Sequence, residues 1–412
     1  MKLLKIIIFS LLIIGSFGKA YAQSLDSLIQ EAYTNNIELQ VFQKQYEAKL
    51  QLAPQIAPRP DPEAGIGVFP LPVATRLGAQ VSRLSATQMF PQKGMVNAKK
   101  ALADAKTQPI LEQINTRKLD LAYQVKMAWL QVYELDKSRK IVQQNIRFLK
   151  SLEALVLVKV ETNKANPADV LQVQLKIQAL ENQLLILEKQ REKPLADLKR
   201  VLNRTETGDI SITDSLRISV LMYQKDSLLA DIQANHPMMK MYELQQEVSK
   251  KAIEVNALKD QPTFGVGLDY ITVIGRNDAN PTGNGRDIVQ LRGMVKIPLY
   301  KGQYEAKKQE ELIKIQALEL QKENTADQFM AIIEKAYVDY EVAKLQLDLY
   351  QKQVKTTKAA IDILTGAYSV DGRKFEELLR LEKELIDYDL MILKAIVKSH
   401  QARITIERFI TK

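Results

Sequence analysis

The sequence predicts a mainly α-helical fold with a smaller β part of transmembrane length, built as two copies of one helix–β-hairpin–helix unit. Three observations predict it. The chain repeats itself at an offset of about 200 residues, its apolar seams keep a seven-residue period, and a strand pair in the second copy alternates with period two, with a weaker match in the first. The repeat is ordered. Ser27-Leu28-Ile29 returns as Ser227-Leu228-Leu229, and Phe90-Pro91 followed by Lys93-Gly94 returns as Ile297-Pro298 followed by Lys301-Gly302. Ala98-Lys99-Lys100 then returns as Ala306-Lys307-Lys308. A period this long excludes a solenoid and points to duplication of one large unit.

In chain order, residues 1–22 have the form of a secretory leader. Lys2 and Lys5 precede the apolar run Ile6 to Phe17, and Ala20-Tyr21-Ala22 is a small-x-small cleavage site. Gln23 is then the expected mature start. Net charge falls from +9 to +6 as Lys2, Lys5 and Lys19 leave. The chain has no cysteine, which excludes a lipid attached through cysteine, disulfides and thiolate metal sites. Its lysines and acids are interspersed along helix faces, the pattern of a solvated surface and not of a nucleic-acid footprint.

The first repeat is expected over 23–203, with strands near 63–90. Here the β signal is weak: Ile66, Val68, Ala79 and Val81 flank Phe69-Pro70-Leu71-Pro72, which reads as a loop between short strands. Pro91 and Gly94 form a strand-to-helix corner. From Leu121 a 4-3 seam runs through Val125, Ala128, Val132, Leu135, Val142, Ile146, Leu149, Val156 and Val160, broken only at Arg139 and Glu153. Sustained heptads imply coiled-coil packing, and this arm would extend about 60 Å. Trp129 sits beside the seam as a packing residue.

The chain reverses at a tip near 161–168, where Asn166 is placed to cap and Pro167 suits the first helical position. The return helix carries Val173, Ile177, Leu180, Leu184 and Leu187, and Pro194 should kink or break it. A linker follows at 204–224, rich in Thr, Gly, Asp and Ser at its start.

The second repeat, 225–412, has clearer strands near 263–298. Phe264, Val266, Leu268 and Tyr270 alternate with Gly265, Gly267 and Asp269, and Val289 to Ile297 alternates with Gln290, Arg292, Met294 and Lys296. Strands of about 10 residues cross a bilayer when tilted. The loop from Gly275 to Arg286 is polar throughout. Pro298 and Gly302 form the second corner, and a second tip is expected near 369–375, at Asp371, Gly372 and Arg373. The last seam runs from Leu378 to Phe409. Four strands cannot close a barrel, and an open edge in lipid is forbidden, so strands in a membrane require several chains to share one barrel.

Catalytic and metal signals are weak. His236 and His400 lack ligand spacing, and Met238, Met239 and Met241 read as core fillers before soft-metal ligands. Gly265-x-Gly267 opens no helix, which excludes a dinucleotide loop.

Taken together, the duplicated unit, the Pro/Gly corners and the tips followed by an acid before leucine resemble the TolC family of outer-membrane efflux proteins over essentially the whole mature chain. Thr75-Arg76-Leu77-Gly78 and Gln88-Met89-Phe90-Pro91 resemble its heavy-metal and cation branch. The resemblance implies a homotrimer that shares a 12-stranded barrel in outer-membrane lipid, above a helical coiled-coil barrel in the periplasm. It implies a periplasmic adaptor docked at the tips, around Asn166, Pro167, Asp169, Asp371, Gly372 and Arg373, and an inner-membrane pump. It also implies an acidic constriction at Glu377. A second acid expected one turn later falls on Arg380, which suggests a Glu377–Arg380 arrangement, while Glu377 alone also suits a helix N-terminus. The family's early Asn-Pro is split here as Asn235-His236-Pro237 and degraded as Asn35-Asn36-Ile37, and its acylated cysteine is missing. The implied role is a passive exit duct for drugs, metal cations or other small molecules, with no enzymatic step and no cofactor. A periplasmic adaptor, a protein-exporting type I secretion duct and a soluble coiled-coil scaffold are the alternatives.

Overall fold

A computed structural model describes residues 24–205, 212, 215–371 and 374–411, with the backbone alone at 369–371. The expected leader, Gln23, Gly372 and Arg373 lie outside the described residues, as does the Asp371 side chain. The elements are α1 (Leu25–Asn35), α2 (Ile37–Leu50), β1 (Glu63–Thr75), β2 (Gly78–Phe90), α3 (Met95–Ala105), α4 (Gln108–Glu161) and α5 (Pro167–Leu202). Then follow α6 (Lys225–Asn235), α7 (Pro237–Lys259), β3 (Thr263–Ile274), β4 (Ile288–Lys296), α8 (Gly302–Asp371) and α9 (Phe375–Glu407).

The same order thus occurs twice. The helix break before each strand pair is capped by different chemistry in the two copies. Asn36 accepts from the Leu39 amide through its side chain, and in the second copy the Nδ1 of His236 accepts from the Met238 amide. Where the first copy divides α3 from α4 at Lys106-Thr107, the second runs 70 residues unbroken in α8.

Two compact units form. One takes the described residues up to 40 together with 117–232 and 328–412; the other takes 41–116 and 233–327. In the first unit, burial follows the predicted seams. Leu121, Val125, Val132, Val142 and Val156 are fully buried, and Trp129 stacks on Tyr133 with ring centroids 5.7 Å apart. Burying one such side chain contributes about 1.5–3 kcal/mol, which is how seams and not propensity hold helices this long. α4 ends in a Schellman turn: Asn163 takes φ 54°, its amide bonds Val160 O and that of Lys164 bonds Lys159 O at 2.8 Å. Asn203 ends α5 in the same way.

Pro194 does not break α5, which continues through it to Leu202. Proline inside a helix costs about 3 kcal/mol. Its ring is buried here, and Leu198, Val201 and Leu202 of the following turns are core residues that keep the helix in register.

The second unit contains one antiparallel sheet in the order β1-β2-β3-β4, together with α3 packed on α7. The first-repeat strands are not short. β1 and β2 have 13 residues each, against 12 and 9 for β3 and β4. The expected loop at Phe69–Pro72 lies inside β1, at a register irregularity between Val68 and Val73, and the real turn is Arg76-Leu77. Two prolines hid this strand. They are tolerated because they fall in the stretch between Val68 and Val73 where the ladder with β2 is interrupted, so no ladder amide is lost. The second loop is closed by hydrogen bonds, Gly285 N to Leu77 O at 2.7 Å and Arg276 N to Asn284 Oδ1 at 2.7 Å.

Candidate functional site

The sheet has two chemically opposite faces. Ile66, Leu84, Tyr270 and Val289 stand in one cross-strand row, and with Val68, Phe264, Val266, Leu268, Leu291 and Val295 they form an exposed apolar face. Leu291 is 84% exposed and Ile66 80%, values that water would penalise and lipid would not. The other face carries Gly65, Gly67, Gly265, Gly267, Arg83, Asp269 and Arg292. Alternation along β3 and β4 assigns their members of that face; Arg83 gives no such signal, because small and polar residues blur the β2 pattern.

At the corners, Pro91 follows β2, and Gly94 takes φ 85° as the residue before α3, a left-handed value that favours glycine. Pro298 follows β4, and Gly302 opens α8 as its first residue. The two corners match in sequence but not in conformation.

At the first tip, the Asn166 side chain accepts from the Ala168 amide at 2.9 Å, Pro167 is the first helical residue, and Asp169 lies in the first turn. Burial raises the Asp169 carboxyl, against the opposing effect of the Asn166 backbone contact. At the second tip, Lys374 holds a left-handed φ of 67° before α9. Glu377 follows in the first turn and is exposed, where the helix N-terminus favours an acid. Arg380 does not turn to Glu377 within the chain. Its guanidinium meets Glu384, its i,i+4 neighbour, at 2.7 Å, and Lys383 meets Asp387 at 3.0 Å in the next step of the same face.

Both tips are tied into one apolar cluster in the first unit. Val156, Val170 and Val173 of the first helical hairpin pack with Leu364, Tyr368, Phe375 and Leu378 of the second. Two groups here escaped sequence reasoning. Lys159 is buried with its ammonium 5.4 Å from the Tyr368 ring centroid. Glu382 is buried beside the seam position Leu381, and burial, then the Asp362 charge, push its carboxyl up to about 7. A single acid one position off a heptad seam gives no periodic signal, so only packing reveals it. Among the described residues, no group of His, Asp or Glu is arranged to hold a metal ion.

No protein-family model and no curated protein matches this sequence. Solved structures do. CusC, studied through the conformational changes that accompany folding and transmembrane channel formation, superposes with a TM-score of 0.73 at 13% identity, over 93% of this chain and 90% of that one. The outer membrane protein VceC of Vibrio cholerae gives 0.69 at 14% identity, over 93% and 94%. The open state of the MtrE outer membrane channel of Neisseria gonorrhoeae gives 0.67 at 14%, over 94% and 88%. The chain therefore has the fold of the outer-membrane channels, the one the TolC-family resemblance implied.

Proposed function

We propose that this protein is the outer-membrane exit duct of a tripartite efflux system. It would conduct small molecules passively from an inner-membrane pump and a periplasmic adaptor to the exterior. The observation that carries this reading is the four-stranded sheet with an exposed apolar face and two unpaired edges, β1 and β4. Such a sheet cannot stand alone in lipid, because each unpaired edge amide and carbonyl costs several kcal/mol there. Three copies joined edge to edge close twelve strands and leave no edge. The helical remainder then lies in the periplasm, with the tips at Asn166 to Asp169 and Asp371 to Arg373 turned to the adaptor and Glu377 and Arg380 at the constriction. The duct does no covalent chemistry. A periplasmic adaptor is disfavoured by two helical hairpins, each preceded by a strand pair.

Cell fractionation with non-denaturing electrophoresis tests the proposal. Recovery in the detergent-soluble outer-membrane fraction, at the mass of three chains, is expected. A monomer released by osmotic shock without detergent sinks it.

A further inference from the structure

Three strands bring Arg83 of β2, Asp269 of β3 and Arg292 of β4 together on the polar face of the sheet. Asp269 is fully buried and takes both cations, Arg83 in an ion pair and Arg292 at 3.3 Å. Arg292 also donates to the Thr87 hydroxyl at 3.3 Å. Gly267 opens the seat for this guanidinium, since a Cβ there would stand 3.2 Å from the Nε and Nη2 of Arg292. Glu63 and Lys296 share this face and offset each other, so with Asp269 neutralised by one arginine the second leaves one positive charge per chain. Both arginine side chains keep about a third of their surface open, 35% and 36%, and the Nε of each is without a hydrogen-bond partner among the described residues. The cluster is thus only partly satisfied from within the chain.

We infer that Arg83 and Arg292 set the ion preference of the β-barrel lumen and bias the exit of the duct toward anions. The inference rests on the proposed trimeric barrel, in which the apolar face meets lipid and this face lines the lumen. Rings of arginine or lysine select anions because their charge replaces part of the ion's lost hydration and repels cations. Their reach is set by screening, about 10 Å at 0.1 M salt and about 3 Å at 1 M. Arg83 and Arg292 belong to the sheet and Glu377 to α9, so each is substituted without the other.

The test is the zero-current potential across planar bilayers holding the full chain in a potassium chloride gradient near 0.1 M. Wild type is compared with Asp269→Asn and with the charge-free triple variant Arg83→Gln/Asp269→Asn/Arg292→Gln, which leaves no carboxylate buried alone. Asp269→Asn is expected to raise the chloride-to-potassium permeability ratio about twofold or more, the triple variant to lower it by a similar factor, and both shifts to shrink at 1 M. Equal ratios in all three conducting proteins at 0.1 M overturn the inference and leave the duct standing. A wild-type protein that inserts but conducts no ions overturns the duct and the inference together.

Discussion

Lys159 of the first helical hairpin holds its ammonium 5.4 Å from the ring centroid of Tyr368 in the second, and both residues are buried. The ring also meets Phe375, with centroids 5.0 Å apart. A desolvated cation over an aromatic face contributes about 2 kcal/mol, so this contact fastens the two tips at the end where a constriction would open.

The Tyr368 hydroxyl adds nothing to that fastening. It is buried without a hydrogen-bond partner among the described residues, and burial, then the Asp169 charge, push its pKa up to about 12. Tyr368→Phe keeps the ring and is expected to leave stability unchanged or raise it by up to about 1 kcal/mol. Tyr368→Ala should cost about 3–5 kcal/mol. Thermal unfolding followed by circular dichroism separates them, and equal losses for both variants would refute the packing account.

Glu382 makes stability depend on pH in the unusual direction for an acid. Folded, its carboxyl titrates near 7; unfolded, near 4.5. Between these values the folded chain keeps a proton that the unfolded chain has lost, so the contribution falls as pH rises from about 4.5 to about 7. Above that it is constant, at a cost of up to about 3 kcal/mol. Glu382→Gln lacks this titration. Its melting temperature should exceed the wild-type value at pH 8 by clearly more than at pH 4.5. A difference that does not change with pH would count against the buried charge.

Gly78 starts β2 at φ +132°, and a Cβ there would lie 2.0 Å from the carbonyl oxygen of Ile274. Gly78→Ala must therefore shift backbone at the β1–β2 turn, on top of about 1–3 kcal/mol of conformational strain. If the chain forms the proposed trimer, the expected outcome is a marked fall in the trimer recovered from the outer membrane, read on a non-denaturing gel. Full recovery would show that the turn can rearrange.

If Glu377 and Arg380 line a constriction, Glu377→Ala together with Arg380→Ala should raise single-channel conductance in planar bilayers. Arg380 is engaged by Glu384 at 2.7 Å, so Glu384→Ala is expected to shift conductance in wild type and not in the double variant. Unchanged conductance and ion preference in the double variant would remove the gate from this pair.

Much of this molecule is legible in its residue order, because helical seams and strand alternation are local periodic signals. Leu121 to Val160 declares a buried stripe, and Phe264 to Tyr270 declares an apolar face. Asn166-Pro167 declares a helix start. Each depends on the backbone's own period of 3.6 or 2 residues. β1 escapes this reading because Pro70 and Pro72 argue against a strand, and the interrupted ladder between Val68 and Val73 that accommodates them leaves no periodic signal. Pro194 does not end α5, since the packing that carries the helix on to Leu202 comes from distant helices.

The sequence by itself determined the class of elements, their duplicated order, the corners at Pro91 and Pro298, and the lack of thiol chemistry. Tertiary structure alone decided which charges meet. Arg83 reaches Asp269 across 186 positions, and Lys159 reaches Tyr368 across the two hairpins. Periodicity is written along one chain, whereas a charge's partner depends on which strands and helices become neighbours, and no local pattern encodes that.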